Sequence, residues 1–118
     1  PIIFEVRKAT LTPSGHAQVK RLAKRLQQNP QYRVVEVGVH TDGMGSARWK
    51  VKLSRARARS VVAALVKAGV ATERLRARGY GATRRLADDS TKATRFKNRR
   101  VELVVLETGS LALNEEEP

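Results

Sequence analysis

Two residues have the type and placement to recognise a charged ligand: Asp42, an acid inside a long basic stretch, and Arg57, fifteen residues further on. Arg57 is the more informative. A helix over residues 47–68 puts Leu53, Arg57, Val61 and Leu65 four apart in one column, with Ala64 and Ala68 beside it. Arg48, Lys52, Arg55 and Arg59 recur on the opposite side, so the helix already has a wet basic face and Arg57 is not part of it. An unpartnered buried guanidinium costs on the order of several kcal/mol. Arg57 is therefore expected to be paired, hydrogen-bonded or at the edge of a pocket, unless its stem covers apolar surface while its head reaches water. The chemistry on offer is charge recognition. His16 and His40 have no acidic or histidine company, which argues against a metal site, and neither has a nucleophile or paired carboxylate within sequence reach. Asp88-Asp89 reads as a solvated loop pair and not as a catalytic dyad.

The elements that must position these residues can be traced along the chain. Ile2 to Val6 is short, apolar and β-branched, the pattern of a first strand. Thr12-Pro13 is a helix start, with Thr12 as N-cap and Pro13 at the first helical position; Val19, Leu22, Ala23 and Leu26 form its inward stripe and Asn29-Pro30 ends it. Arg33 to Val39, carrying four valines, reads as a central strand, and His40 to Ser46, with Gly43 and Gly45, as the loop after it. The second helix ends at Gly69. A short strand is expected at 75–78, broken by Gly79-Tyr80-Gly81, then a polar loop through Asp88-Asp89, a helical turn around Thr91 to Lys97 and a strand from Arg100 to Leu106. The alternation predicts a two-layer α/β sandwich, with helices packed on a small mixed sheet.

At 118 residues the chain is one domain, assigned to residues 1–107, with an acidic tail over 108–118 that ends Glu115-Glu116-Glu117-Pro118 and reads as disordered. It has no cysteine, hence no disulfide or thiolate site, and no apolar run long enough to span a membrane. Beginning at Pro1 without a signal peptide, it reads as part of a longer protein. The formal charge is +13, and the placement is uneven: no acid lies between Glu5 and Glu36 or between Asp42 and Glu73, while each gap holds seven Lys or Arg. That field favours an anionic partner, though two well-solvated helix faces would account for it equally simply. Two Tyr, two Phe and one Trp, without an aromatic cluster on a strand, give no support to specific nucleic-acid binding.

Read in order, His40-Thr41-Asp42, Gly45, Leu53-Ser54, Arg57-Ala58, Gly79-Tyr80-Gly81 and Asn98-Arg99-Arg100-Val101-Glu102 resemble the OmpA-like peptidoglycan-binding domain. This family includes the C-terminal domains of outer-membrane protein A, the peptidoglycan-associated lipoprotein and flagellar motor stator subunits. Phe4, Ala9 and Leu11-Thr12-Pro13 fit as well, so the resemblance runs to about Glu107. It implies a non-catalytic, cofactor-free and metal-free periplasmic domain of a bacterial envelope protein. Such a domain grips the diaminopimelate of the peptidoglycan stem peptide and tethers its parent protein to the wall. Carried over residue by residue, it makes Asp42 the holder of the ligand's ammonium and Arg57 the holder of its carboxylate. Thr41 stands beside the acid, Leu53 walls the pocket, and Asn98 and Arg100 approach it or brace its loop.

The physical chemistry suits those roles, because a carboxylate beside a planar guanidinium complements an amino-acid zwitterion. Three departures from the family pattern stand out: Arg7 where Asn or Asp is usual, Lys50 where Asn is usual, and Val39 in place of a glycine. Arg7 and Lys50 would add cations to a site that must accept an ammonium. A second reading therefore stays open, in which the chain is an altered family member serving as a protein-interaction or scaffold module among other envelope proteins.

Overall fold

Local sequence decides most of the elements of the computed structural model, which describes residues 3–109. Helix α1 (Pro13–Gln28) starts where Thr12 accepts the Gly15 N–H at 2.9 Å and Pro13 supplies the first helical residue. Val19, Ala23 and Leu26 are buried along it and Leu22 is partly so. Strand β1 (Tyr32–His40) alternates in the way its valines dictate: Val35, Val37 and Val39 are essentially inaccessible on the helix side, and Glu36, Gly38 and His40 face the other way. Helix α2 (Ala47–Lys67) is capped by the Ser46 hydroxyl on the Trp49 N–H, and Gly69 follows its last turn. Strand β2 (Leu75–Gly81) comes after a short 3-10 turn, helix α3 (Lys92–Asn98) opens with a Thr91–Thr94 capping box, and strand β3 (Arg100–Thr108) closes the described chain.

The three strands form one mixed sheet in the order β2-β1-β3, with β1 parallel to β2 and antiparallel to β3. Helices cover one face, giving the two-layer α/β sandwich that the alternation of elements predicts. The buried column of α2 is Ser54, Ala58, Val61 and Leu65: Val61 and Leu65 are buried as expected, while in the first half Ser54 and Ala58 take the places expected of Leu53 and Arg57, one residue along. Arg57 therefore sits at the flank of the inward face and is only half-buried. Arg48, Lys52, Arg55 and Arg59 are all exposed, as their spacing requires.

Three segments differ from expectation. The first strand does not form: Ile2 lies outside the described residues, and of the remainder only Phe4 pairs, in an isolated bridge to Leu11. The chain instead folds back at once, with Glu5 donating to the Thr10 carbonyl at 2.9 Å and Arg7 in the left-handed region at φ 59°. Strand β2 runs through Gly79-Tyr80-Gly81 instead of stopping before them, with Tyr80 as an extra residue where the register shifts at His40. Strand β3 extends to Thr108, so the acidic tail expected from that residue lies, apart from Thr108 and Gly109, outside the described residues.

At Gly79 the two layers approach closely. A Cβ there would lie 2.3 Å from the Arg55 nitrogen and 2.6 Å from the Ser54 hydroxyl, so α2 can rest on β2 only because that position has no side chain. Gly79→Ala is accordingly expected to destabilise the domain by about 1–3 kcal/mol through overpacking, read as a lower urea midpoint at unchanged m-value.

Candidate functional site

Asp42 ends up at a junction of segments. Strand β1 delivers His40, and the chain then turns: the Thr41 N–H donates to the Gly81 carbonyl at 2.8 Å, and the Gly81 N–H donates to the Ser54 hydroxyl at 3.0 Å. One residue of β2, through its N–H and its carbonyl, thus fixes the exit of β1 to the inner side of α2. Thr41 is buried, and its hydroxyl donates to the Asp42 carbonyl at 3.1 Å. Beyond it the Asp42 carboxylate, with 8% of its side chain exposed, accepts the Met44 N–H at 2.9 Å on Oδ1 and the Arg99 Nε–H on Oδ2. The first contact is an Asx turn and the second a charge-assisted hydrogen bond. Arg99 follows α3 directly, and 48% of its side chain is exposed.

Arg57 is close by but does not touch Asp42. Its Nε donates to the Lys8 carbonyl at 2.8 Å and its Nη2 to the Glu5 carbonyl at 3.3 Å, with the guanidinium carbon 4.8 Å from the Phe4 ring centre. The charge on the inner flank of α2 is therefore satisfied by backbone dipoles and an aromatic face, both from the turn that replaces the first strand. Burial first, then repulsion from Arg99, push this guanidinium below its ordinary pKa, while Asp42 acts in the opposite direction. Asp42, Arg57 and Arg99 thus share one electrostatic field.

The other expected residues divide. Leu53 lies partly buried on α2. Lys50 is turned onto the loop, its Nζ donating to the Gly43 carbonyl at 3.2 Å, and Arg7 is exposed at the turn. Asn98 is fully buried and spends its amide on the loop before α3. Its Oδ1 accepts the Leu86 and Ala87 N–H groups at 2.8 and 3.1 Å, and its Nδ2 donates to the Ala87 carbonyl and to Asp89 Oδ1, both at 2.9 Å. Asp89, also held by Arg85 at 2.7 Å, packs so tightly on Gly43 that a Cβ there would lie 2.1 Å from its Oδ2. The Arg85 hydrogen bond is the largest of the effects that keep the Asp89 carboxyl below its ordinary pKa. Asn98 therefore steadies the Asp42 loop from a distance. Arg100 faces the other side of the sheet, where its Nε bonds Glu102 at 2.8 Å and its Nη2 the Arg84 carbonyl at 2.9 Å. It is Arg99, not Arg100, that reaches Asp42. A cleft of about 390 Å³ between α1 and β3, lined by Val19, Leu22, Val101 and Leu103 among others, contains none of these residues.

Comparison with known proteins places the chain in a family and agrees with its fold. The sequence model of the OmpA family matches residues 3–99. The chain belongs to the OmpA family. It is 44% identical over 102 residues to outer membrane porin F of Pseudomonas fluorescens, covering 86% of this chain and 31% of that protein. It is 38% identical over 105 residues to the peptidoglycan-binding protein ArfA of Mycobacterium tuberculosis, covering 89% and 32%. Its fold superposes on the C-terminal domain of Helicobacter pylori MotB with a TM-score of 0.79 at 28% identity, covering 88% and 81% of the two chains. The chain thus spans roughly a third of these two curated relatives.

On the sheet face away from the helices, this OmpA-family domain carries a polar stack. The His40 ring lies 4.8 Å from Tyr80 and parallel to it, Tyr80 donates to Glu36, and the Arg78 and Arg84 guanidinium groups sit 4.6 and 4.3 Å from the Tyr80 ring centre. His40 Nε2 is 3.2 Å from Glu102. Burial, and then repulsion from Arg100, hold the imidazole below its ordinary pKa of 6.5, outweighing the attraction of Glu102. The folded state therefore prefers neutral His40. Its contribution is complete above pH 6.5 and is lost as pH falls from there toward the lower folded-state value. Thermal unfolding followed by circular dichroism should show a larger drop in Tm between pH 7.5 and about 5.5 for the wild type than for His40→Gln, which carries no titrating group at that position.

Proposed function

We propose that this domain binds the stem peptide of bacterial peptidoglycan at its diaminopimelate residue, without catalysis, and anchors a larger envelope protein to the wall from the periplasmic side. The observation that carries the reading is the Asp42 junction: a mostly buried carboxylate presented by β1, facing guanidinium groups from α2 and from the α3–β3 corner. That arrangement complements an ammonium and a carboxylate a few ångströms apart. Asp42 receives the ammonium on the lone pairs left by Met44 and Arg99, and Arg57 offers its free Nη1 to the carboxylate while its other nitrogens hold the 5–8 turn. Thr41 and Leu53 flank the pair. Support comes from family membership and from a relative whose name is peptidoglycan-binding protein.

The exposed cations of α2 add a long-range attraction to an anionic wall, and salt screens that component. One observation favours the alternative of a scaffold module that contacts envelope proteins and not the wall: Asp42 already has a cationic partner in Arg99.

The two readings part in a sedimentation experiment with purified sacculi at physiological ionic strength. The wild-type domain should pellet with sacculi, while Asp42→Asn and Arg57→Gln should each weaken association by at least about tenfold, the worth of a charge-assisted contact. Unchanged binding by both variants would overturn the site assignment. No binding by the wild type, together with capture of a defined envelope protein, would establish the scaffold role.

A further inference from the structure

The cations of the domain are treated differently in its two layers. Helix α1 holds four Lys or Arg and α2 seven, and neither contains an acid. Among the described residues no ion pair reaches either helix; the paired cations are Lys8, Arg33, Arg78, Arg85, Arg99 and Arg100, all on the sheet, its connections or the first turn. A helix face that is merely solvated gains from mixed signs. Here Lys20 with Lys24, Arg48 with Lys52 and Arg55 with Arg59 stand as like charges four residues apart, an arrangement that destabilises a helix. Nor does either helix carry an acid in its first turn, where the dipole favours one. The helix layer thus lacks the counter-charge that the sheet layer has in place.

On α2, Trp49, Lys52, Ala56, Arg59, Ala63 and Lys67 follow one another in steps of three and four residues, on the side opposite the buried Ser54, Ala58, Val61 and Leu65. On α1, Lys20 and Lys24 are exposed away from the buried Val19, Ala23 and Leu26. The two helices pack against each other, so these rows form one broad basic layer, and the apolar cleft lies on the other side of α1, against β3. We propose that this layer is a peripheral docking surface for a bilayer that carries anionic phospholipid headgroups. A plane of phosphates supplies the counter-charge that the two helices lack. Ala56 and Ala63 leave room for the layer to approach that plane, and Trp49, 41% exposed at the start of α2, has the amphipathic ring that settles at headgroup level. No helix among the described residues is long and apolar enough to cross a membrane, so the contact is electrostatic and sensitive to salt. A nucleic-acid strand is a poorer fit, because Trp49 is the one aromatic residue of α1 and α2 and a strand needs several for stacking. The surface uses neither Asp42 nor Arg57 and stands apart from the peptidoglycan reading.

The test is cosedimentation with vesicles of phosphatidylcholine, either pure or containing about a third phosphatidylglycerol, at physiological ionic strength. Two double variants are compared with the wild type. Lys20→Glu with Lys52→Glu reverses one exposed cation on each helix, and Lys92→Glu with Lys97→Glu reverses two exposed cations on α3, so both change the net charge equally. The first pair sets an acid four residues from Lys24 and from Arg48 on the same helix, which favours the helical state, so the variant keeps its fold. The wild type should bind the anionic vesicles at least about tenfold more tightly than the neutral ones, and the helix-layer variant should lose about tenfold of that affinity. The α3 variant should lose clearly less. Emission from Trp49, the one tryptophan of the chain, should shift to the blue as anionic vesicles are added. Equal losses in the two variants would reduce the effect to net charge and overturn the surface. Unshifted Trp49 emission at saturating vesicle concentration would overturn its placement against the bilayer. Equal affinity for the two kinds of vesicle, or binding to duplex DNA without binding to vesicles, would overturn the lipid partner.

Discussion

Placing an acid almost out of water at the end of β1 is the constraint on which the rest of the site depends. In a chain of net charge +13, a buried carboxylate has no shortage of counter-charge, but the counter-charge must be brought to it by segments remote in sequence. Asp42 meets this with the Met44 N–H from its own loop and the Arg99 guanidinium from 57 residues away. Each contact replaces hydration lost on burial, and neither alone would be sufficient for a charge. The bond to Arg99 also means that the corner between α3 and β3 cannot move without exposing Asp42, so the loop that carries α3 belongs to the site although it contributes no side chain of its own to Asp42.

Holding that geometry requires close layers, and closeness comes from small side chains placed opposite one another. Gly79 lies against the α2 backbone at Arg55, and Ser54 and Ala58 occupy the adjacent turn with no exposed surface. Ser54 then takes the Gly81 N–H while the Gly81 carbonyl takes the Thr41 N–H, so the height of α2 above the sheet is transmitted to the residue before Asp42. On the far side, Asn98 fixes Asp89, and Asp89 presses on Gly43 so closely that no other residue fits there without displacement. Asp42 sits between these two clamps.

The sequence made much of this legible, and the parts that it hid share a cause. Thr12-Pro13, the valine alternation of β1 and the cap at Ser46 are local signals whose physics acts within a few residues, so they specify elements directly. Asp42 and Arg57 could be singled out because each is a charge out of keeping with its surroundings. The choice between Arg99 and Arg100 was not legible, because it depends on the phase of β3: side chains alternate along a strand, and whichever arginine begins the strand sends its neighbour to the opposite side. A one-residue error of phase also separates the expected column of α2, through Leu53 and Arg57, from the observed one through Ser54 and Ala58. In the first strand, β-branched composition lost to the turn at Arg7, whose carbonyl neighbours at Glu5 and Lys8 are held by Arg57 from α2. That tertiary contact is invisible to any local pattern. It also explains why the out-of-place arginine does not pair with Asp42: the turn uses most of its fork.

This division of labour among arginines bears on the difference between attraction and recognition. The cations of α2 at Arg48, Lys52, Arg55 and Arg59 are exposed, and at physiological ionic strength their field falls off over roughly 8 Å. They raise the local concentration of anything anionic without distinguishing one anion from another. Arg57 and Arg99 differ because each is tied at one edge, to the 5–8 turn and to Asp42 respectively, so the nitrogens left over point from fixed positions. A guanidinium immobilised in this way loses little further rotamer freedom when it takes a ligand and keeps a geometry that a freely moving lysine would not. On the peptidoglycan reading proposed above, recognition falls to the arginines that the fold has already partly used, and the solvated basic faces supply the approach.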